Sequence, residues 1–350
     1  MKVLVVDDSI VFRSAIRQAI DGQQGIEVVG TALHGQQAID KLKDNLKVDL
    51  ITLDLEMPVL DGISTIREIR KLGLNLPIIV FSAYSQAGAE KTMEALTAGA
   101  QDFLPKVSED DTAGDNAIET LRKILLPKLV QFKGMMTRPV EHQSQPAPRP
   151  SVVPKVKLDS FSPDVIHIGS STGGPEALKL LFSQWTNKPG VPVLLTQHMP
   201  PLFTKQMANL LNRICPALTI KEAEQGEVIL NDHVYVAPGD YHMEVRKEGD
   251  VNCISLTQTE KVNSVRPAVD VMIDSSDFIY KKSINVILTG MGEDGLAACK
   301  KQKNKSNPIL IQDKESCVVF GMPGAIARAE LQDYMGNINE IIQLINKRWA

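Results

Sequence analysis

Val165-Ile166-His167-Ile168-Gly169-Ser170-Ser171-Thr172-Gly173-Gly174-Pro175 is the stretch on which the reading of this chain turns. Its first four residues read as a short buried strand, which runs straight into a serine turn flanked by glycines. Pro175 then opens an amphipathic run marked by Ala177, Leu178, Leu181 and Trp185. Proline suits the first helical position, where its missing N–H costs nothing. Strand, glycine-flanked serine and helix match the G-x-S-x-G elbow, in which the central serine sits on a strained turn with its oxygen exposed. That serine is Ser171, not Ser170. The unpaired N–H groups of a first helical turn also favour negative charge, a developing oxyanion included. The same pattern also serves as a phosphate cradle or as a plain tight turn, so the rest of the chain has to decide.

A chain of 350 residues points to about two domains, and 43% hydrophobic content is enough for real cores. The net charge of −4 argues against nucleic acid as a partner, because such binders usually carry a basic face. No apolar run approaches the ~20 residues of a membrane helix. Met1–Asp8 reads as a strand closed by two acids and not as a signal peptide. Cys215, Cys253, Cys299 and Cys317 show no C-x-x-C spacing, which indicates neither a zinc site nor a disulfide framework. A cytoplasmic protein is expected.

Over residues 1–126, strand-like runs recur at Val3–Val6, Ile26–Val29, Leu50–Leu53, Ile78–Phe81 and Asp102–Leu104, with helical patterns between them. This alternation predicts a five-stranded parallel sheet covered on both faces, with all strand C-termini on one edge. Asp7 and Asp8 end the first strand, Asp54 the third and Ser82 the fourth; Lys106 follows the fifth. Three carboxylates converging on one edge need a cation, and hard oxygen ligands suit Mg²⁺. A lysine and a hydroxyl beside them suit the oxygens of a phosphoryl group.

These residues, with Asp54-Leu55-Glu56-Met57-Pro58-Val59-Leu60-Asp61-Gly62, resemble a response-regulator receiver domain. The resemblance implies a flavodoxin-like fold and transfer of a phosphoryl group from a histidine kinase to Asp54. It also implies Mg²⁺ held by Asp8, Asp54 and the backbone carbonyl of Glu56, with Asp7 acting through water. Ser82 and Phe103 fall at the hydroxyl and aromatic switch positions. Receivers usually place proline directly after the lysine. Here Pro105 precedes Lys106 and Val107 follows it, which rules out a cis lysine–proline bond.

Residues 127–163 are expected to be a linker. Arg138 to Pro154 is rich in proline, glutamine and serine without apolar periodicity, the composition of a semi-stiff tether. Residues 164–350 return to α/β, with strand candidates at Val165–Gly169, Val191–Gln197, Val234–Ala237, Cys253–Leu256, Ile284–Thr289 and Ile309–Gln312. A doubly wound, mostly parallel sheet follows. The turn signals Pro238-Gly239-Asp240 and Glu248-Gly249-Asp250 lie too close for an intervening helix and predict an antiparallel hairpin at one edge.

His198 stands just past the strand ending in Thr196-Gln197, and Asp294 lies in the loop Gly290-Met291-Gly292-Glu293-Asp294-Gly295 after another. Ser171, His198 and Asp294 thus each follow a separate parallel strand and are delivered to one edge. Such a trio serves a serine hydrolase: the histidine takes the serine proton, the carboxylate steadies the imidazolium, and N–H groups hold the oxyanion. His167, inside its strand, reads as a core histidine, and Glu293 and Asp232 are the rival acids. The order serine, histidine, acid differs from that of an α/β-hydrolase.

Thr196-Gln197-His198-Met199-Pro200-Pro201, Arg266-Pro267-Ala268-Val269-Asp270, Leu288–Gly295 and Cys317–Pro323, with the serine turn, resemble the chemotaxis protein-glutamate methylesterases, the CheB family. The resemblance implies a phosphorylation-activated hydrolase, without a cofactor of its own, that acts on glutamyl methyl esters of methyl-accepting chemoreceptors and in many members on receptor glutamines. It further implies a peripheral contact with membrane receptors only, Ser171, His198 and Asp294 as catalytic residues, and the Met291 N–H and Thr172 near the oxyanion. Between Lys300 and Pro308 this chain has a lysine- and asparagine-rich turn where the family usually has glycine and alanine. The alternative is a non-catalytic, phosphorylation-dependent binding regulator that uses the Gly-rich loop.

Overall fold

A computed structural model describes residues 1–106, 115–136 and 158–349. The chain divides into two compact units, Met1–His142 and Gln143–Ala350. Among the described residues no helix is long and apolar enough to cross a membrane.

The first unit alternates strand and helix in the order β1 (Lys2–Val6), α1 (Ile10–Ile20), β2 (Glu27–Ala32), α2 (Gly35–Lys43), β3 (Leu50–Asp54), α3 (Gly62–Lys71), β4 (Ile78–Ser82), α4 (Gln86–Ala98), β5 (Asp102–Pro105) and α5 (Asp115–Met136). The strands pair in the order β2-β1-β3-β4-β5, all parallel. β3 and β4 are buried throughout, as strands covered on both faces are. Side chains of Ser9, Asp61 and Ser85 cap α1, α3 and α4 by accepting the N–H groups of Phe12, Ser64 and Gly88. The chain thus turns sharply into a helix just beyond three strand ends. α5 continues past residue 126. It runs to Met136 with Pro127 inside it, because Leu125, Leu129 and Phe132 are buried and their packing offsets the lost hydrogen bond. The proline-rich run Arg138–Pro154 lies outside the described residues.

The second unit continues with β6 (Val165–Ser170), α6 (Gly174–Ser183), β7 (Val193–Gln197), α7 (Phe203–Ile214), β8 (Thr219–Glu222), β9 (His233–Val236), β10 (His242–Glu248), β11 (Val251–Thr257), α8 (Val269–Ser276), β12 (Ser283–Ile287), α9 (Leu296–Asn304), β13 (Ile309–Gln312), α10 (Met322–Arg328), β14 (Tyr334–Gly336) and α11 (Ile338–Arg348). Seven strands form one sheet, ordered β14-β13-β12-β6-β7-β9-β8, and each of its pairings is parallel. The predicted hairpin forms as β10 and β11, but as a separate two-stranded sheet and not as an edge of the larger one. It packs against α8 through Met243, Val245 and Ile254. Successive strands proceed from β6 to one side and return through β12 to the other. The crevice beside β6 is therefore a topological switch point, where open α/β sheets place their ligands. The lysine-rich turn is largely neutralised within the unit: Lys301, Lys303 and Lys305 pair with Asp274, Asp333 and Asp277 at 2.5–2.6 Å.

His167 is a core residue. Its Nδ1–H donates to Asn285 Oδ1 at 2.9 Å, and its Nε2 accepts from Ser276 Oγ at 2.7 Å, a tautomer assigned from the network. Burial pushes its pKa from 6.5 down to about 4. Between those values an unfolded chain carries a proton that the folded core excludes, so stability falls as pH drops through that window. The loss is about 3 kcal/mol, at ~1.4 kcal/mol per pH unit. Both tryptophans, Trp185 and Trp349, lie in this unit. Melts followed by their fluorescence should show a midpoint that drops between pH 6.5 and 4. His167→Gln should be less stable at neutral pH and flatter over that range; an equally steep decline would refute the assignment.

Candidate active site

Ser170 and Gln197 are register partners at the ends of β6 and β7, so Ser171 and His198 emerge side by side. The His198 N–H donates to the Ser170 carbonyl at 3.1 Å, and the Ser171 N–H to the Thr289 carbonyl at 3.0 Å. Sequence reasoning missed Gln197, whose buried amide ties the two loops together. It accepts from Ser170 Oγ at 2.7 Å and donates to the carbonyls of Ser171 and His198 at 3.0 and 3.2 Å. Two glycines make the close packing possible. A Cβ on Gly174 would lie 1.9 Å from Gln197 Oε1, and one on Gly290 would lie 2.8 Å from Ser171 Cβ. Gly173 takes φ +77°, a left-handed conformation that glycine adopts without strain.

Asp294 comes from the loop after β12. Its Oδ2 lies 2.8 Å from His198 Nε2 and accepts the Val269 N–H at 2.6 Å. Its Oδ1 accepts from Asn263 Nδ2 at 2.9 Å and from the Asp270 N–H at 3.2 Å. Beside the histidine contact, Asp294 also caps α8 by accepting the first N–H groups of that helix. Ala268, at the N-cap of α8, has no capping side chain, and Asp294 supplies one from elsewhere in the chain. Burial raises the pKa of Asp294, but the hydrogen bond and charge of His198 and the two backbone N–H groups outweigh it, and the pKa ends below the usual value. Asp294 is buried and His198 is 11% exposed. Glu293 is exposed, and Asp232 is engaged by the Gly190 N–H. Neither rival acid takes the place beside the imidazole.

The Ser171 hydroxyl makes no hydrogen bond among the described residues, and His198 Nδ1 likewise has no partner. The Met291 N–H has no intramolecular acceptor among the described residues, in a loop bent by Gly292 at φ +79°. Thr172, next to Ser171 in sequence, is buried, and its carbonyl accepts from Thr289 Oγ1 at 2.9 Å. An alcohol, an imidazole polarised by a carboxylate and unpaired N–H groups thus stand at one switch point.

The first unit places a second cluster at its own switch point, between β1 and β3. Asp7 and Asp54 are buried and Asp8 is exposed; each offers an oxygen within 4.8 Å of the others. Lys106 Nζ lies 2.7 Å from Asp54 Oδ2 and 3.2 Å from Asp7 Oδ2, as ion pairs without hydrogen-bond alignment. Burial, and next the charge of Asp7, push the Asp54 pKa to about 6 against the pull of Lys106. Burial raises Asp7 as well. Two buried carboxylate oxygens without hydrogen-bond donors, joined by a third carboxylate, fit a hard divalent cation such as Mg²⁺. The Glu56 side chain is turned to Lys91 at 2.5 Å. Ser82 Oγ donates to the Gly88 carbonyl at 2.8 Å, and Phe103 is buried.

Residues 166–345 match the family model described as CheB methylesterase, and residues 3–115 that of the response regulator receiver domain. A protein-glutamate methylesterase/protein-glutamine glutaminase of Trichodesmium erythraeum (strain IMS101) is 38% identical over 350 residues, covering 99% of this chain and 98% of that protein. A protein of the same name from Nocardioides sp. (strain ATCC BAA-499 / JS614) is 39% identical over 355 residues, covering 100% and 96%. The crystal structure of the Thermotoga maritima CheB methylesterase catalytic domain is 41% identical with a TM-score of 0.50, covering 53% of this chain and 98% of that one.

Proposed function

We propose, from the premise that this chain belongs to the CheB family of protein-glutamate methylesterases, that it is a serine hydrolase controlled by phosphorylation of its own receiver domain. Its second unit hydrolyses methyl esters of protein glutamates and the side-chain amide of protein glutamines, the activities its relatives are named for. The observation that carries the reading is the His198–Asp294 pair beside the Ser171 elbow.

Ser171 Oγ attacks the ester carbonyl as its proton passes to His198. Asp294 occupies Nε2, so Nδ1 is the ring nitrogen that receives the proton. The unbonded hydroxyl is free to turn toward it, and such contacts tighten when substrate binds. The N–H groups of Met291 and Thr172 face the oxyanion. Methanol leaves with the proton held by the imidazolium, and water then frees the carboxylate by the same relay in reverse. The alternative reading, a binding regulator with a phosphate loop, leaves the polarised histidine without a task.

In the receiver, Asp54 takes the phosphoryl group from a histidine kinase. Mg²⁺ would be held by Asp8, Asp54 and the Glu56 carbonyl, with Asp7 acting through water, and would supply charge neutralisation during the transfer. Lys106 and Ser82 then engage the phosphoryl oxygens, with Phe103 as the aromatic switch. The unphosphorylated receiver, extended to the end of α5, restrains the catalytic unit of residues 164–350, and the added charge on Asp54 releases it. The substrates are cytoplasmic helices of chemoreceptors, met by peripheral contact.

Methanol release from methylated receptor membranes tests this. It should rise when Mg²⁺ and a small phosphodonor are added, and Asp54→Asn should abolish the rise; release indifferent to both would contradict control by the receiver. Asp54, raised to about 6, must ionise to bind the cation. Calorimetric Mg²⁺ affinity should therefore fall as pH is lowered through that value, and affinity unchanged down to about pH 5 would argue against these ligands.

A further inference from the structure

Val262 and Val265 exchange backbone hydrogen bonds across a two-residue turn, N–H to carbonyl at 3.2 and 3.0 Å. The turn residues, Asn263 and Ser264, both have positive φ, +53° and +65°. Such a tight turn favours asparagine, whose backbone tolerates the left-handed region. This conformation aims the Asn263 amide inward, where one nitrogen reaches two carboxylates: Asp270 Oδ2 and Asp294 Oδ1, each at 2.9 Å. Asp270 is itself buried, and its Oδ1 accepts the Ala298 N–H at 2.8 Å.

Two buried carboxylates this close repel each other unless donors stand between them. Asn263 supplies both of its amide hydrogens there. Without them, Asp294 Oδ1 keeps only the longer bond from the Asp270 N–H, and the carboxylate loses a fixed point that opposes its rotation out of line with the imidazole. We propose that Asn263 is a positioning residue for hydrolysis: its amide holds Asp294 Oδ1 so that Oδ2 stays on His198 Nε2. This rests on the assignment of Ser171, His198 and Asp294 as the relay. The ionisable groups facing Asp294 are His198, Asp270 and the Cys299 thiol, whose pKa burial and both acids push up, so that it stays neutral.

Asn263→Gly keeps a backbone suited to the turn and removes the amide; Asn263→Asp keeps the turn and adds charge. Full-length variants would be compared for methanol release across pH. The amide touches no substrate, so kcat should fall about tenfold to hundredfold with KM unchanged. The acid limb of kcat should move to lower pH in Asn263→Gly, where the carboxylate no longer steadies a protonated imidazole, and to higher pH in Asn263→Asp, where the added negative charge favours one. A purely structural role would lower the folded fraction but leave that limb in place. Wild-type kcat and limb in either folded variant would overturn the proposal. So would a variant whose only defect is a lower melting temperature. Ser264→Gly, which relaxes the turn and leaves the amide, should retain both the rate and the limb. If Ser171→Ala were active, the relay itself would fail; if Ser171→Ala is dead and Asn263→Gly is normal, only this inference fails.

Discussion

Ser171→Ala should lower ester hydrolysis about 10⁶-fold while leaving the thermal midpoint of the protein where it is. The two halves of this expectation come from different parts of the elbow. The hydroxyl makes no hydrogen bond among the described residues, so its removal frees no buried partner. The backbone is held independently, through the Ser171 N–H to Thr289 and the Gln197 amide to the Ser171 carbonyl. Alanine therefore occupies the same turn without the nucleophile. Activity lost together with stability would mean that the turn had collapsed, and activity retained would remove the serine from the mechanism.

Asp294→Asn should cost about 10⁴ in kcat and also destabilise the fold. Four donors converge on this carboxylate: His198 Nε2, the Val269 and Asp270 N–H groups and Asn263 Nδ2. A carboxylate accepts all four on two oxygens. An asparagine has one acceptor oxygen and must point its NH₂ at two of the donors. If the NH₂ replaces Oδ2, the imidazole and the Val269 N–H lose their acceptor; if it replaces Oδ1, Asn263 and the Asp270 N–H lose theirs, so α8 gives up one capping bond either way. Charge-assisted bonds of this kind contribute roughly 1.5–3 kcal/mol each, so a lowered melting temperature should accompany the lost rate. A variant with normal kcat and normal stability would show that the His198–Asp294 contact is incidental.

The two switch points were legible because parallel strands deliver their ends to one edge whatever the loops do. Asp7, Asp54 and Lys106, and likewise Ser171, His198 and Asp294, needed only strand assignment and direction to be brought together. What escaped was carried by contacts distant in sequence. Asn263 reaches Asp294 across 31 residues from an exposed turn whose only signal is an asparagine–serine pair between two valines. Gln197 is a polar residue at a strand end until its three hydrogen bonds are seen. α5 runs on to Met136 because burial of Leu129 and Phe132 overrides the local effect of Pro127. The short edge strands β8 and β14, of four and three residues, carry too little pattern to stand out from loops.

The most direct measurement is to treat the active protein with a serine-directed fluorophosphonate and locate the adduct by mass spectrometry. The account predicts a single adduct on Ser171, formed at the rate activity is lost, and abolished in His198→Ala. An adduct on another residue accompanying inactivation, or full activity after stoichiometric labelling of Ser171, would contradict it.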